Sequence, residues 1–399
     1  MLRRSVALVF VLCLVGAACS TSDDGGDEGG DTAASGEASG DPIVIGFPAD
    51  LTTDWAYYDS PMQEGAQFAV DQINADGGVL GRPLELQTVD MRNDVAEAAK
   101  VTQQLIDDGA VYLIGTVGDG ILAEGQVACA AGTPISTGLG TAPSLVGDMG
   151  ECAYQLVMSD NIQAAVLAEY ALAEGYETAY VIGSNEIPYT KDLPVFFSDA
   201  FENGGGTVVG TDQYKIGAGD YSAVVTKLAN VDPTPDAVFT PMFLPDSAVF
   251  LRQLRQAGLT MPVLSTDGNA DASLLDAGAK AIDGLTFSNS VCTAEGDPDV
   301  QAFYDDYSAA NGTDPSSYVA VIGYDEVTLV ADAIETAGSA EPDAIMEQLA
   351  QTDFTGISGQ VVMDSETRRA NKPAALIQMD GTAFTCLEQP AFPAYVPAV

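Results

Sequence analysis

Ile43-Val44-Ile45-Gly46-Phe47, then Ser60 to Ala75, then Leu84-Glu85-Leu86-Gln87-Thr88-Val89-Asp90: a β-branched run, an amphipathic stretch and a second β-rich run follow one another. Short apolar runs read as strands, and the longer stretch, with apolar residues three and four apart, as a helix. The rhythm continues outward, with a helix predicted over Asp94 to Asp108, a strand over Val111 to Gly115, a helix over Gly120 to Ala131 and a strand over Pro134 to Ser136. Strands separated by helices cross over and lie parallel, with helices on both faces of the sheet. The pattern then starts again. Helices are predicted over Ile162 to Glu174, Lys191 to Asn203, Ser222 to Asn230 and Asp246 to Ala257, alternating with strands over Thr178 to Gly183, Thr207 to Tyr214, Ala237 to Thr240 and Val263 to Ser265. Successive α/β sets of similar size imply two lobes. After Thr286 come helices near Pro298 to Ala310, Tyr318 to Ala337 and Asp343 to Gln351 and short strands over Gly359 to Met363 and Ala374 to Met379, a mixed tail suited to completing both lobes.

The amino end reads as a secretory leader. Met1-Leu2-Arg3-Arg4 is basic, Ser5 to Val15 is apolar, and Gly16-Ala17-Ala18-Cys19 is a small-residue approach to a cysteine. The apolar run is about half the ~20 residues that span a bilayer, so residues 1–18 are expected to be removed. Cys19 stands where lipoproteins carry the acylated cysteine, which would anchor the protein on the outer face of the membrane. Gly16 departs from the usual Leu or Val of that box; a soluble secreted protein cut nearby is the other reading. Residues 19–40 are, after Cys19, only Ser, Thr, Gly, Asp, Glu and Ala, a flexible acidic tether that cannot bury enough surface to order itself. No later segment approaches the length of a membrane span.

Fifty-eight Asp and Glu against 14 Lys and Arg give a formal charge of -44. Such a surface repels phosphate backbones, so nucleic acid is excluded as a partner, and the excess reads as a solvated, soluble surface. There is no histidine, which removes the usual general base and the commonest transition-metal ligand. No nucleophile turn of the Gly-x-Ser-x-Gly kind and no phosphate loop is present, so no enzyme, cofactor or metal site is expected. Besides Cys13 in the leader and Cys19, the cysteines are Cys129, Cys152, Cys292 and Cys386. Outside the cell these suggest disulfides; of the possible pairings the preferred one joins Cys129 to Cys152 across a short loop and leaves Cys292 with Cys386.

The segment Gly65-Ala66, Ile73-Asn74-Ala75-Asp76-Gly77-Gly78-Val79-Leu80-Gly81-Arg82-Pro83 resembles a stretch of type I periplasmic solute-binding proteins of the branched-chain amino acid ABC transport family. Val111-Tyr112-Leu113-Ile114-Gly115, Gly219-Asp220-Tyr221-Ser222, Leu251 to Leu259, Asp314-Pro315 and Gly323-Tyr324-Asp325 match in family order. The resemblance implies two Rossmann-like lobes joined by three crossing strands, placed near residues 156–159, 287–291 and 353–358. Lobe one would be residues 41–157 plus 290–354, and lobe two residues 158–289 plus 355–399. It implies binding of an amino acid or related small amine or amide between the lobes, delivery to an ABC permease, and no catalysis; the chain is expected to be a monomer. An amino-acid-sensing receptor module without transport is the alternative. Parallel sheets independently favour a ligand outside the carboxyl ends of their strands.

The resemblance also implies site residues. Tyr58, in Trp55-Ala56-Tyr57-Tyr58, matches an aromatic that covers the ligand; otherwise it is a loop aromatic packed on its lobe. Tyr189 matches a second cleft tyrosine. Thr141, in Leu139-Gly140-Thr141-Ala142, matches the threonine that with nearby amides holds a carboxylate, although Gly and Thr also suit an ordinary turn. Asp119, in Gly118-Asp119-Gly120, departs from the family's serine: it would repel a ligand carboxylate, and as a helix N-cap it would point inward on its own amides. Asp267 matches an acid that pairs with a ligand ammonium, with capping of the helix near Ala270 as the other reading. Phe243 and Leu244 occupy the place of a further cleft tyrosine, which makes the pocket more apolar.

Overall fold

The structure, a computed structural model, describes residues 38–53, 55–292, 296–387 and 392–399. The leader, Cys13, Cys19 and the tether up to residue 37 lie outside these. Among the described residues no helix is long and apolar enough to cross a membrane.

The first sheet is parallel and built from β1 (Ile43–Ala49), β2 (Leu84–Asp90), β3 (Ala110–Leu113), β4 (Ile135–Ser136) and β5 (Ala153–Tyr154), in the order β2-β1-β3-β4-β5. Every residue of β1 is buried, whereas β2, with Leu, Glu, Leu and Gln in alternation, is mostly half-exposed at the edge. That is the burial each composition dictates. The helices α1 (Ala56–Ala75), α2 (Val95–Asp107), α3 (Ile121–Ala131) and α4 (Leu145–Met149) connect these strands. Asp94, predicted as the first residue of α2, is its cap and accepts hydrogen bonds from the amides of Ala96 and Glu97.

The second lobe opens with α5 (Asp160–Ala173). Then come β6 (Thr178–Gly183), α6 (Pro188–Asn203), β7 (Thr207–Gln213), α7 (Ser222–Leu228), β8 (Ala237–Phe239), α8 (Asp246–Gln256), β9 (Val263–Ser265), α9 (Ala279–Ile282) and β10 (Leu285–Asn289). These strands too are parallel.

Beyond β10 the chain returns to the first lobe as α10 (Pro298–Asn311), α11 (Val319–Ala337), α12 (Pro342–Leu349), β11 (Asp353–Gly356), β12 (Gly359–Asp364) and β13 (Arg369–Asn371). The last three form a small antiparallel sheet. Val361, Met363 and Ala370 belong to the same buried cluster as Phe47, Tyr112 and Val330. The third crossing therefore falls at residues 372–374, not near 353–358, and residues 355–371 leave the second lobe to which the sequence assigned them. Only then do β14 (Ala375–Asp380) and β15 (Ala383–Cys386) add antiparallel strands to the second sheet, whose order is β15-β14-β10-β9-β8-β6-β7.

Helices α1 and α11 pack backbone against backbone. A Cβ on Gly65 would stand 1.7 Å from the Ala320 carbonyl oxygen, and one on Gly323 would stand 2.1 Å from that of Met62. Both glycines belong to the sequence motifs, and their missing side chains permit this approach. Tyr112 of β3 donates to the buried Glu326 of α11 at 2.9 Å, a second tie between sheet and helix.

Cys129 is bonded to Cys152, and Cys292 to Cys386, the preferred pairing. Non-reducing peptide mapping should recover both links; a Cys129 to Cys292 link in the purified protein would refute them.

Candidate functional site

The loops that follow β1, β3, β4, β6, β8 and β9 converge on one cavity of about 210 Å³ between the two sheets, at the carboxyl ends where open parallel sheets present ligands. The first lobe contributes Trp55 and Tyr58 after β1, Val117 and Asp119 after β3, and Leu139, Gly140 and Thr141 after β4. The second lobe contributes Tyr189, on the first turn of α6, then Phe243 after β8 and Asp267 after β9. Tyr318, Ile322 and Ser290 close the remaining side. The sequence did not single these out, because they come from the part of the chain that returns after β10 and carry no local signal of a cleft.

Leu244, expected beside Phe243, does not line the cavity. Its amide donates to the Gly268 carbonyl at 3.1 Å, and its side chain packs on the core of the second lobe.

Asp267 begins a short 3-10 turn, Asp267–Asn269, that no side chain caps, so capping near Ala270 is not its role. Its carboxylate accepts the Tyr189 hydroxyl at 2.8 Å. That hydroxyl also meets Thr266 Oγ1 at 2.6 Å and accepts the Gly268 amide at 3.3 Å. Burial pushes Asp267 up to about 6, against the hydrogen bonds from Tyr189 and Gln163 that favour its charged form. Nearby Asp160 is fully buried; loss of water and the charge of Asp267 push it well above the usual carboxylate range. Tyr58, Tyr189 and Tyr318 are all raised, first by burial and then by the charge of Asp267. They remain protonated phenols at neutral pH.

Asp119 sits exposed at the rim. Its amide donates to Asn93 Oδ1 at 3.0 Å, and its Oδ2 accepts Asn93 Nδ2 at 3.2 Å. Helix α3 has Gly120 at its cap position and no side-chain cap. Asp119 is thus held by Asn93 and does not cap α3 as the sequence suggested.

Beneath the rim, a buried carboxyl network fixes the first-lobe loops. Asp50 accepts the amides of Thr53 (3.0 Å) and Trp55 (3.1 Å). Asp59 accepts the Asp50 amide (2.8 Å), the Thr116 hydroxyl and the Val117 amide (3.3 Å). Burial pushes Asp59 up to about 7. The network holds Trp55 and Val117 against the cavity, so the wall stands on donors and acceptors already paired.

Among the described residues no group of three or more His, Cys, Asp or Glu is placed to hold a metal ion. The cavity offers aromatic faces, the Thr141 hydroxyl beside Asp160 and the desolvated carboxylate of Asp267.

A family model described as periplasmic binding protein matches residues 42–383. The chain is 29% identical over 300 residues to the Leu/Ile/Val-binding protein BraC3 of Rhizobium johnstonii, covering 75% of this chain and 80% of that one. It is 26% identical over 328 residues to the leucine-, isoleucine-, valine-, threonine-, and alanine-binding protein of Pseudomonas aeruginosa, covering 82% and 87%. Its fold superposes with a TM-score of 0.76 on the crystal structure of a branched-chain amino acid transporter substrate binding protein from Streptococcus pneumoniae in complex with isoleucine. That match has 26% identity and covers 88% of this chain and 100% of that one.

Proposed function

The chain belongs to the periplasmic binding protein family, whose members bind solutes and are not enzymes, and from that premise we propose that it is the lipid-anchored, extracytoplasmic solute-binding component of an ABC importer. Its ligand is a small aminated solute, an amino acid or a related amine or amide, held between the lobes. The observation that carries this reading is Asp267: a carboxylate desolvated among aromatic rings, bonded to Tyr189, with no basic side chain among the residues lining the cavity. A buried carboxylate without a cation is costly, and a ligand ammonium supplies the missing charge. Ligand contacts with both lobes favour a closed arrangement over an open one, and the closed form is what a permease recognises. Thermal-shift screening of the chain from Ser20 onward against amino acids, amides and amines tests this, since a ligand that binds only the folded protein raises its melting temperature.

Affinity for an amine should depend on pH with a definite sign. Below about 6, Asp267 takes up a proton and loses the charge that pairs with the ligand. Binding of a permanently cationic amine should weaken about tenfold per pH unit below that value and level off above it. Calorimetry from pH 5 to 8 reads this directly, and a flat profile would remove Asp267 from the role of charge partner.

Anchoring rests on Cys19. Cys19→Ala should leave the protein released from membranes or as unprocessed precursor, because the thiol is the acyl acceptor. Unchanged processing and membrane retention, read by fractionation and intact mass, would overturn the lipoprotein reading.

A further inference from the structure

We infer that Asn93, which lies outside the cavity, is a positioning residue for the binding cleft: it holds the loop after β3 beside Trp55 and keeps the first-lobe wall formed before a ligand arrives. The inference rests on the reading of the cavity as a binding cleft and adds what sets its wall. Residues 91–94 link β2 to α2, and neither they nor Asp90 line the cavity. In that turn Arg92 and Asn93 follow one another in the left-handed region, at φ 54° and 49°. Asparagine tolerates this conformation and arginine adopts it at a cost, so the turn keeps its shape because its neighbours fix it. The Met91 amide donates to the Ala49 carbonyl at 2.8 Å, and the Asp94 amide to the Met91 carbonyl at 3.1 Å. The Asp90 carboxylate accepts the Arg92 amide at 3.0 Å, the Leu51 amide at 3.1 Å and the Thr52 hydroxyl at 2.7 Å. The turn is thereby tied to the loop after β1, from which Trp55 reaches the cavity.

Its other tie is to the loop after β3. Asn93 meets Asp119 twice, its Oδ1 accepting the Asp119 amide at 3.0 Å and its Nδ2 donating to Asp119 Oδ2 at 3.2 Å. The neighbouring Gly118 is buried, and a Cβ there would stand 2.8 Å from Asn93 Oδ1 and 3.3 Å from Trp55 Cδ1. The missing side chain lets the loop approach the asparagine and the indole at once. From beneath, Asp59 accepts the Val117 amide at 3.3 Å and Thr116 Oγ1 accepts the Gly118 amide at 3.1 Å. Asn93 supplies the hold from outside. Trp55, Val117 and Asp119 themselves line the cavity. Without Asn93 that wall samples other positions, and a ligand must then order it at the expense of affinity.

Trp55 is the only tryptophan of the chain, so its fluorescence reports the wall in the ligand-free protein. Asn93→Gly keeps the left-handed backbone and removes the side chain. In that variant acrylamide should quench Trp55 more steeply, while the melting temperature falls little. Asn93→Asp, which sets a second carboxylate beside Asp119, should have the same effect. Combining Asn93→Asp with Asp119→Asn exchanges the two side chains and restores both hydrogen bonds, so quenching should return to its original slope. A residue that only stabilised the turn would lower the melting temperature and leave Trp55 as it was. Calorimetry with leucine and leucinamide as probes should show Asn93→Gly binding about three- to tenfold more weakly than the unmodified protein, the scale of one hydrogen bond. Quenching unchanged in Asn93→Gly, or equally altered in Asn93→Asp with and without Asp119→Asn, overturns the inference. Unchanged affinity for a probe that the unmodified protein binds overturns it too. Quenching that responds as expected while neither probe binds the unmodified protein supports the hold on the wall and counts against the amine-binding reading, so the two fail separately.

Discussion

Asp267→Ala should weaken binding of a cationic ligand by between about thirtyfold and several thousandfold, a loss of roughly 2 to 5 kcal/mol. The substitution leaves an ammonium buried among aromatic rings without its counter-charge. The empty protein should lose little or even gain. Because burial raises Asp267 to about 6 in the folded state, from 3.8, the folded protein holds this proton more tightly than the unfolded chain. The charge therefore opposes folding in full above about pH 6, and the opposition fades as pH falls from about 6 to 3.8 and is gone below that. Removing the carboxylate removes that opposition, while the Tyr189 hydroxyl keeps Thr266 as a partner at 2.6 Å. Calorimetry beside melting curves of the ligand-free variant separates the two halves. Unchanged affinity with a large drop in stability would make Asp267 a structural residue.

Lys372→Met should cost about 3 kcal/mol of stability, the lower end of what removing one partner of a buried charged pair costs. Lys372 lies in the third crossing and is only 2% exposed. Its ammonium donates to the Ser358 carbonyl at 2.7 Å and to Ser358 Oγ at 2.9 Å. Asp325 holds the same serine from the other side, accepting the Ile357 amide at 2.8 Å, the Ser358 amide at 2.7 Å and the Ser358 hydroxyl. Burial lowers Lys372 to about 8, opposed by the charge of Asp325. Burial likewise raises Asp325, opposed by Ser358 and Lys372. Asp325 is thus eased first by Ser358 and then by the charge of Lys372, and Lys372 by the charge of Asp325. Adding Asp325→Asn to Lys372→Met should recover part of the loss, since a neutral amide leaves no charge uncompensated. Denaturant unfolding of the single and double variants measures the coupling, and strictly additive losses would show the side chains to be independent.

The parallel strands were legible because their apolar runs are bounded by turn residues; Leu84–Asp90, Thr178–Gly183 and Val263–Ser265 begin and end where the sequence put them. The cavity loops followed from those strands, since each cleft residue is placed by the strand end before it. The last part of the chain was harder to read. β11 and β13 are four and three residues long and largely exposed or half-buried, so nothing in Asp353–Gly356 or Arg369–Asn371 marks a strand until Val361 and Met363 are seen to face the first core. The lobe boundary moved for that reason. The capping reading of Asp119 failed because its partner, Asn93, lies in another loop. Leu244 was misread because adjacent loop residues can face opposite ways, and only the bond from its amide to Gly268 settles which.

The contact between α1 and α11 has a consequence for how the chain comes together in time. Residues 56–75 cannot bury their inner face until residues 319–337 arrive, and the glycines at 65 and 323 leave no room for a substitute neighbour. The second sheet waits in the same way for β14, which begins at residue 375. A polypeptide made amino end first therefore has neither half of its structure complete until almost its whole length is available. Long-range contacts of this order slow folding. The late arrival of residues 319–337 and of β14 makes completion of both halves one late event in the folding of the chain.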